Sequence, residues 1–396
     1  MMRKLTNFAA HLIATLPFLL VTMRPAQAMP TFAQALGVSC EMCHTIVPQL
    51  NAYGRYVQRT AYSVLSQRKL SREAPLWIGE GGAYNSSNTP DGGVPKTSFG
   101  NLEVHAVGYL NKNETYHLQQ WITQQDQPGG LDTAWVAQNN MLNNRGHLFV
   151  GKIENLVPSI YTQGFDIDGA SASATLVGEH DWGATNDNRW GSKYAYVTQR
   201  LDLEIGYFLS GEDLNGATDF GPNERSIQWK MALARPDQPI EGGFFGSFGS
   251  IPVSTGLDRY RSLAMYVQAD PSAHGRPGVL AVYQFAGDSA PGQDPLTQVP
   301  LGPTTSRGGS LEIFENLFSN NAVISVRHDF NVAVNSTVNN DSVVNLAFNV
   351  PHAPYMHAYI ESALGALSTT PAMQPTWKAG ILWAVPVQLH HASPHS

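Results

Sequence analysis

The chain carries little charge and almost no cysteine. Of its 396 residues, 14% are Asp, Glu, Lys or Arg, against about 25% in an average globular chain. Its two cysteines are too few for a disulfide-stapled scaffold. There is no long basic run and the formal net charge is −7, so nucleic acid is not expected as a partner. Glycine and proline number 36 and 25, too sparse for collagen-like or low-complexity sequence. A hydrophobic content of 42% excludes global disorder, which needs low hydrophobicity with high net charge. Beyond residue 28, no stretch approaches the roughly 18 consecutive apolar residues of a membrane-spanning helix.

What is present begins with an address. Residues 1–28 read as a secretory signal. Arg3 and Lys4 supply the positive start, and an apolar stretch runs from Leu12 to Val21. Ala26-Gln27-Ala28 gives small residues in a cleavage pattern. Pro17 and the closing Arg24 make this run too short and too interrupted for a membrane anchor. In a bacterium such a chain is periplasmic, outer-membrane or exported.

Both cysteines fall in Cys40-Glu41-Met42-Cys43-His44. C-x-x-C-H is the attachment sequence of c-type haem. The two thiols add across the two vinyl groups, and the two-residue gap lets one turn reach both. The imidazole that follows can ligate the iron from one face, provided it is neutral. Cys40, Cys43 and His44 are therefore the expected haem c ligands, with His44 on the metal. A zinc site would want further ligands nearby, and the next histidine is His105. A thioredoxin-like pair would want a βαβ context, which is not found. Within 29–70, Val47, Leu50, Tyr53 or Gly54, and Val57 have near-helical spacing, with Pro48 near a helix start. A segment this small cannot cover a haem by itself.

Three pieces occur in order: Pro30-Thr31-Phe32-Ala33, then Cys40 to His44, then Pro48-Gln49-Leu50-Asn51-Ala52-Tyr53-Gly54-Arg55. Together they resemble the fused monohaem cytochrome–porin family of the outer membrane, which includes iron oxidases. The match spans about 30 residues and departs from the family pattern at Gln34 and Tyr53, and from its iron-oxidising members at Thr45-Ile46-Val47, where those carry aromatic and polar residues. The resemblance implies a haem segment inside a barrel, an extracellular electron donor such as Fe(II), and a periplasmic cytochrome or other carrier as acceptor.

From Pro75 to about Val387 the dominant period is two. Arg200–Ile205 and Ser226–Met231 alternate strictly, and Ala322–Arg327 and Val344–Val350 more loosely. Turn-forming clusters interrupt the runs at Asn139-Asn140, Asn143-Asn144 and Asn339-Asn340-Asp341, and residues 287–309 read as a long loop. About 16 such runs, with Tyr194, Tyr196, Tyr207, Phe208, Trp377 and Trp383 near run ends, favour an antiparallel outer-membrane β-barrel over a soluble sandwich. The expected organisation is a signal peptide (1–28), a monohaem cytochrome c segment (29–74) and a porin-like barrel (75–396) in contact with outer-membrane lipid.

A second axial haem ligand is open among Met29, Met42, His105, His117, His147, Met231 and Met265. Tyr53 and Arg55 are candidates for the haem edge or a propionate. Glu103, Asp202, Glu204 and Glu312 sit between apolar neighbours and suit a polar pore lining. The alternative to an electron conduit is a porin or scaffold whose haem is sensory or structural.

Overall fold

The computed structural model describes residues 32, 36–38, 40–46, 49–70, 76–86, 96–124, 127–154, 188–209, 211–212, 218–219, 224–253, 256–272, 276–289, 302–318, 321–332, 338–350, 356–367 and 376–386. The signal segment and Met29 lie outside them. A 3-10 turn at Cys40–Met42 leads into a small hairpin, β1 (His44–Ile46) and β2 (Gln49–Leu50). A helix over Ala52–Arg59 and a short one over Gln67–Leu70 follow. The helical spacing thus begins later than the sequence suggests, because His44–Ile46 and Gln49–Leu50 pair as strands.

The rest is sheet: β3 (Leu76–Ser86), β4 (Lys96–Asn111), β5 (Glu114–Gln124), β6 (Gln127–Pro128), β7 (Leu131–Asn140), β8 (Gly146–Ile153), β9 (Arg189–Val197) and β10 (Leu201–Leu209). Next come a two-residue pair, β11 (Gly211–Glu212) with β12 (Thr218–Asp219), then β13 (Arg225–Leu233), β14 (Ile240–Val253), β15 (Gly256–Ala269) and β16 (Gly278–Asp288). The last are β17 (Thr304–Leu317), β18 (Ala322–Val332), β19 (Val338–Asn349), β20 (Met356–Leu367) and β21 (Thr376–Pro386). Neighbouring strands pair antiparallel, and β21 returns to pair with β3, so the sheet closes. Among the described residues the closed barrel has sixteen long strands, with β6 a two-residue stretch on the end of β5. Closure leaves the barrel sheet without a free edge.

The alternation is inside-out. In β10, Asp202 and Glu204 are buried while Leu203, Ile205, Tyr207 and Leu209 are exposed. In β13, Ser226, Gln228 and Lys230 are buried while Met231 and Leu233 are exposed, Leu233 at 70%. Polar side chains line the lumen and apolar ones face outward, the pattern of a barrel bathed in lipid. A soluble sandwich would show the reverse.

The two rims differ. One is built of short turns, such as 112–113, 198–200, 234–239 and 318–321. The other carries the longer connections, including 87–95, 154–188, 289–303 and 368–375. Three expectations are corrected. Asn339-Asn340-Asp341 lies within β19, and 304–309 lies within β17, because the ladder continues through both. Phe208 is 1% exposed and faces the lumen, since it alternates with the outward Tyr207. Tyr194 and Tyr196 of β9 do alternate with its buried positions.

Inside the barrel sits the N-terminal segment. Val57, Ala61, Tyr62, Leu65 and Leu70 form one buried cluster with Val107, Trp135, Phe149, Ile153, Val197 and Phe208 of the wall. Tyr62 stacks on Trp135 at 5.8 Å, and Phe32 leans on Tyr62 at 5.4 Å. The segment is thus a plug with its own apolar face. Ala61 and Tyr62 adopt left-handed φ of 49° and 62°, a backbone that side-chain-bearing residues resist. Their burial in the cluster holds the reversal in place.

Candidate functional site

The C-x-x-C-H turn is held by one asparagine. The Asn51 Oδ1 accepts from the Gly54 amide at 3.0 Å and so caps the plug helix. Its Nδ2 donates to the carbonyls of Glu41 at 2.9 Å and Met42 at 3.2 Å, and its backbone amide to the Cys43 carbonyl at 2.9 Å. One residue therefore joins the helix start to the turn. Gly54 completes the fit, because a Cβ there would collide with the Cys43 carbonyl oxygen. The sequence Asn51-Ala52-Tyr53-Gly54-Arg55 thus has a geometric reason: Asn to cap and tie, Gly for close approach, Arg to anchor.

Cys43 is half-buried and forms no disulfide; the Cys40 side chain lies outside the described atoms. Burial pushes the Cys43 thiol up to about 11. Among the described residues no three His, Cys, Asp or Glu side chains are placed to hold a metal ion.

His44 is 9% exposed. Beside it lies an open cavity of about 350 Å3 lined by His44, Thr45, Tyr53, Pro239, Asp270 and Asn316. Its wall comes from the turns after β13 and β15 and the end of β17, so the site sits at the short-turn rim. Burial, then the nearby Cys43 and Tyr56, raise the Tyr53 phenol, which stays a neutral donor at ordinary pH.

The plug is locked to the wall by charge. Arg55, 2% exposed, donates through Nε to Glu241 at 2.9 Å and through Nη1 to Asp270 at 2.8 Å and to the Leu50 carbonyl at 2.8 Å. Asp270 also accepts from the Ala52 amide at 2.8 Å, a carboxylate at the helix N-terminus. Arg59 donates to Glu241 at 2.9 Å and lies 3.6 Å from Asp202. Burial alone would weaken the Arg59 charge, but Glu241 and Asp202 outweigh it and hold its pKa above the ordinary value. Lys230 bridges Asp202 at 2.7 Å and Glu204 at 2.9 Å, and Lys193 meets Glu204 at 3.2 Å. Cations and carboxylates alternate through this chain, so each buried charge has a partner.

These contacts revise several expectations. Arg55 is not free for a propionate, because the wall carboxylates occupy it. Asp202 and Glu204 line the pore as expected, but they take part in anchoring the plug. Glu312 faces inward at 1% exposure. Glu103 pairs with His105 at 3.0 Å, and His117 with Glu154 at 3.1 Å. His105 and His117 stack at 5.9 Å, and His117 packs edge-on to Tyr62 and Trp135. None of His105, His117, His147 or His357 lines the His44 cavity. Met231 and Met265 are 47% and 45% exposed on the outer face, so neither reaches the lumen. Met42 lies exposed on the turn itself.

Sequence reading missed His357. It is buried in the wall at the start of β20, within electrostatic reach of His44. Its Nδ1 donates to the Asn349 Oδ1 at 2.8 Å, which leaves Nε2 with the lone pair that a metal needs. Period two marked it as one more alternating residue. It also missed Glu241 and Asp270, which no local pattern connects to Arg55.

By sequence, the chain matches no protein-family model and no curated protein. Its fold is that of the porins. It is similar to the anion-selective porin from Comamonas acidovorans, with a TM-score of 0.56 at 11% identity, over 78% of this chain and 98% of that one. The channel DcaP of Acinetobacter baumannii aligns with a TM-score of 0.53 at 9% identity, over 78% of this chain and 96% of that one. OmpF of Salmonella typhi, in a complex with daunomycin, aligns with a TM-score of 0.52 at 12% identity, over 78% and 97%. The chain is a porin-like, outer-membrane-type β-barrel with a plug in its lumen.

Proposed function

We propose that this chain is an outer-membrane electron-transfer cytochrome–porin. In this reading haem c is attached through Cys40 and Cys43 with His44 on the iron. Single electrons pass between an extracellular donor, Fe(II) foremost, and a periplasmic carrier. The observation that carries the reading is the C-x-x-C-H turn, tied by Asn51 to a plug that Arg55 and Arg59 lock inside a porin barrel. When bound, the haem supplies a one-electron iron couple. His44 offers a neutral imidazole to it, and His357 is the wall histidine best prepared to offer a second. Asn51 and Gly54 hold the turn, and the arginines hold the plug against the wall. Barrels of this type place short turns toward the periplasm, so the cavity opens where a periplasmic carrier can approach. Oxidation on the outside would also keep insoluble Fe(III) out of the cell.

A second reading has its own support. The structural likeness covers the barrel and is to porins, so it favours a porin-type scaffold, with a sensory or structural haem, over the conduit. Optical redox titration of the purified haem protein, with Fe(II) then added, separates the two. Reduction by Fe(II), together with haem oxidation and reduction in whole cells by membrane-impermeant agents, supports the conduit. A haem that no external agent reaches supports the scaffold. His44→Ala should change spectrum and potential together. His357→Leu should move the spectrum toward the high-spin form, and an unaltered spectrum removes His357 as a ligand.

A further inference from the structure

The outer face of the barrel carries a groove of about 750 Å3 near the long-loop rim. Arg225, Arg259 and Arg261 line it, all exposed on outward positions of β13 and β15. Arg225 pairs with Ser250, and Ser250 with Arg259, in one row across three strands. At about 4.8 Å between strands, these two Cα atoms stand roughly 10 Å apart. Arg261 is the next outward residue on β15, about 7 Å from Arg259. Among the described residues, none of the three guanidiniums forms an ion pair with a carboxylate.

Charge in this position needs a reason. Arginine on the lipid face is costly at the bilayer centre and tolerated near the interfaces. The next outward row is Tyr207, Ile227 and Phe248, which pair in register beside Arg261. Beyond it come Ile205, Trp229, Leu263 and Phe285. Gly287 and Thr305 keep the groove open beside Arg261. Cationic side chains at the rim above an apolar surface match a lipid with anionic phosphates above its acyl chains. A free anion would find no use for the apolar rows. A second copy of this chain would meet the same arginines.

We propose that this groove binds a phosphorylated acyl glycolipid, the lipid class of the outer leaflet of the outer membrane, with its phosphates on Arg225, Arg259 and Arg261. This rests on the membrane-barrel reading above. Each surface arginine against an anionic lipid contributes about fivefold, so three together give roughly a hundredfold.

The test uses the full chain in a zwitterionic detergent and bis-phosphorylated lipid A as probe. The triple variant Arg225→Gln, Arg259→Gln and Arg261→Gln should bind about a hundredfold more weakly than the parent. Arg200→Gln with Arg235→Gln, at the opposite rim, should bind as the parent does. Dephosphorylated lipid A should bind the parent no better than lipid A binds the triple variant. Equal binding by parent and triple variant, equal binding of the dephosphorylated lipid, or full competition by inorganic phosphate overturns the site. So does a lipid-free oligomer that the triple variant dissolves. Gel mobility before and after heating, on the same sample, reports the barrel separately. A heat-modifiable, detergent-requiring barrel without lipid binding refutes the glycolipid site alone, whereas a detergent-free soluble chain refutes both readings.

Discussion

Replacing Arg55 with Met should release the plug while leaving the barrel folded. Arg55 is 2% exposed and serves two wall carboxylates, Glu241 and Asp270. The two losses differ. Glu241 keeps Arg59 at 2.9 Å and the Tyr266 hydroxyl at 3.1 Å. Asp270 keeps the Ala52 amide and no cation that the structure shows bonded to it. Breaking a buried pair by removing one partner costs about 3–5 kcal/mol, because the remaining charge is stranded. The surviving amide bond places this case near 3 kcal/mol, which shifts the docking equilibrium more than a hundredfold. The barrel should survive, since its ladders run strand to strand and none passes through the plug. Two assays read the shift: ion conductance in a planar bilayer, and protease cleavage within residues 44–70. The variant should open and be cut faster than the parent. Adding Asp270→Asn removes the stranded charge and should recover part of the loss, a coupling that a double-mutant cycle measures. Conductance and cleavage identical to the parent, or no recovery in the double variant, would refute the charge-lock reasoning.

Other outcomes follow from single contacts. Gly54→Ala forces the helix away from the Cys43 carbonyl; overpacking of this kind costs about 1–3 kcal/mol, and covalent haem yield should fall, so normal haem staining would contradict the geometry. In haem-free protein Cys43 should stay a neutral thiol until pH nears 11. Its alkylation at pH 8 should therefore be roughly two hundredfold slower than that of a free cysteine near 8.5, with the rate still climbing above pH 10; a plateau near pH 9 would sink the burial argument. Ile205→Lys, central on the outer face of β10, should cost about 2–4 kcal/mol in lipid, read from urea unfolding in vesicles. No change there would mean that this face does not meet acyl chains.

How much was legible in the linear chain depended on range. Local chemistry was readable: C-x-x-C-H needs five adjacent residues, and strict alternation such as Arg200–Ile205 needs six. Both act within a single turn or strand, so adjacency alone specifies them. The period-two pattern also pointed to a closed barrel of about 16 strands, since so many short amphipathic runs need to bury their edges. Facing was harder. Alternation divides a strand into two faces but does not say which looks inward where both carry large apolar groups. Tyr207 and Phe208 look alike in sequence, yet one meets lipid and the other packs in the lumen.

Tertiary structure decided what spans the chain. Arg55 is 186 residues from Glu241 and 215 from Asp270, and closure of the barrel brings them within a hydrogen bond. His357 comes within electrostatic range of His44, 313 residues away in the chain, because closure of the barrel brings β20 round to the plug. Nearest-neighbour propensity carries no information about such meetings, which arise from the register of many ladders summed around a circle. The sequence by itself determined a C-x-x-C-H turn and a set of amphipathic strands. The folded barrel determined which charges lock the plug, which histidines and methionines face the lumen, and which arginines face the lipid, because each depends on where the closed wall places a residue that its neighbours in the chain do not touch.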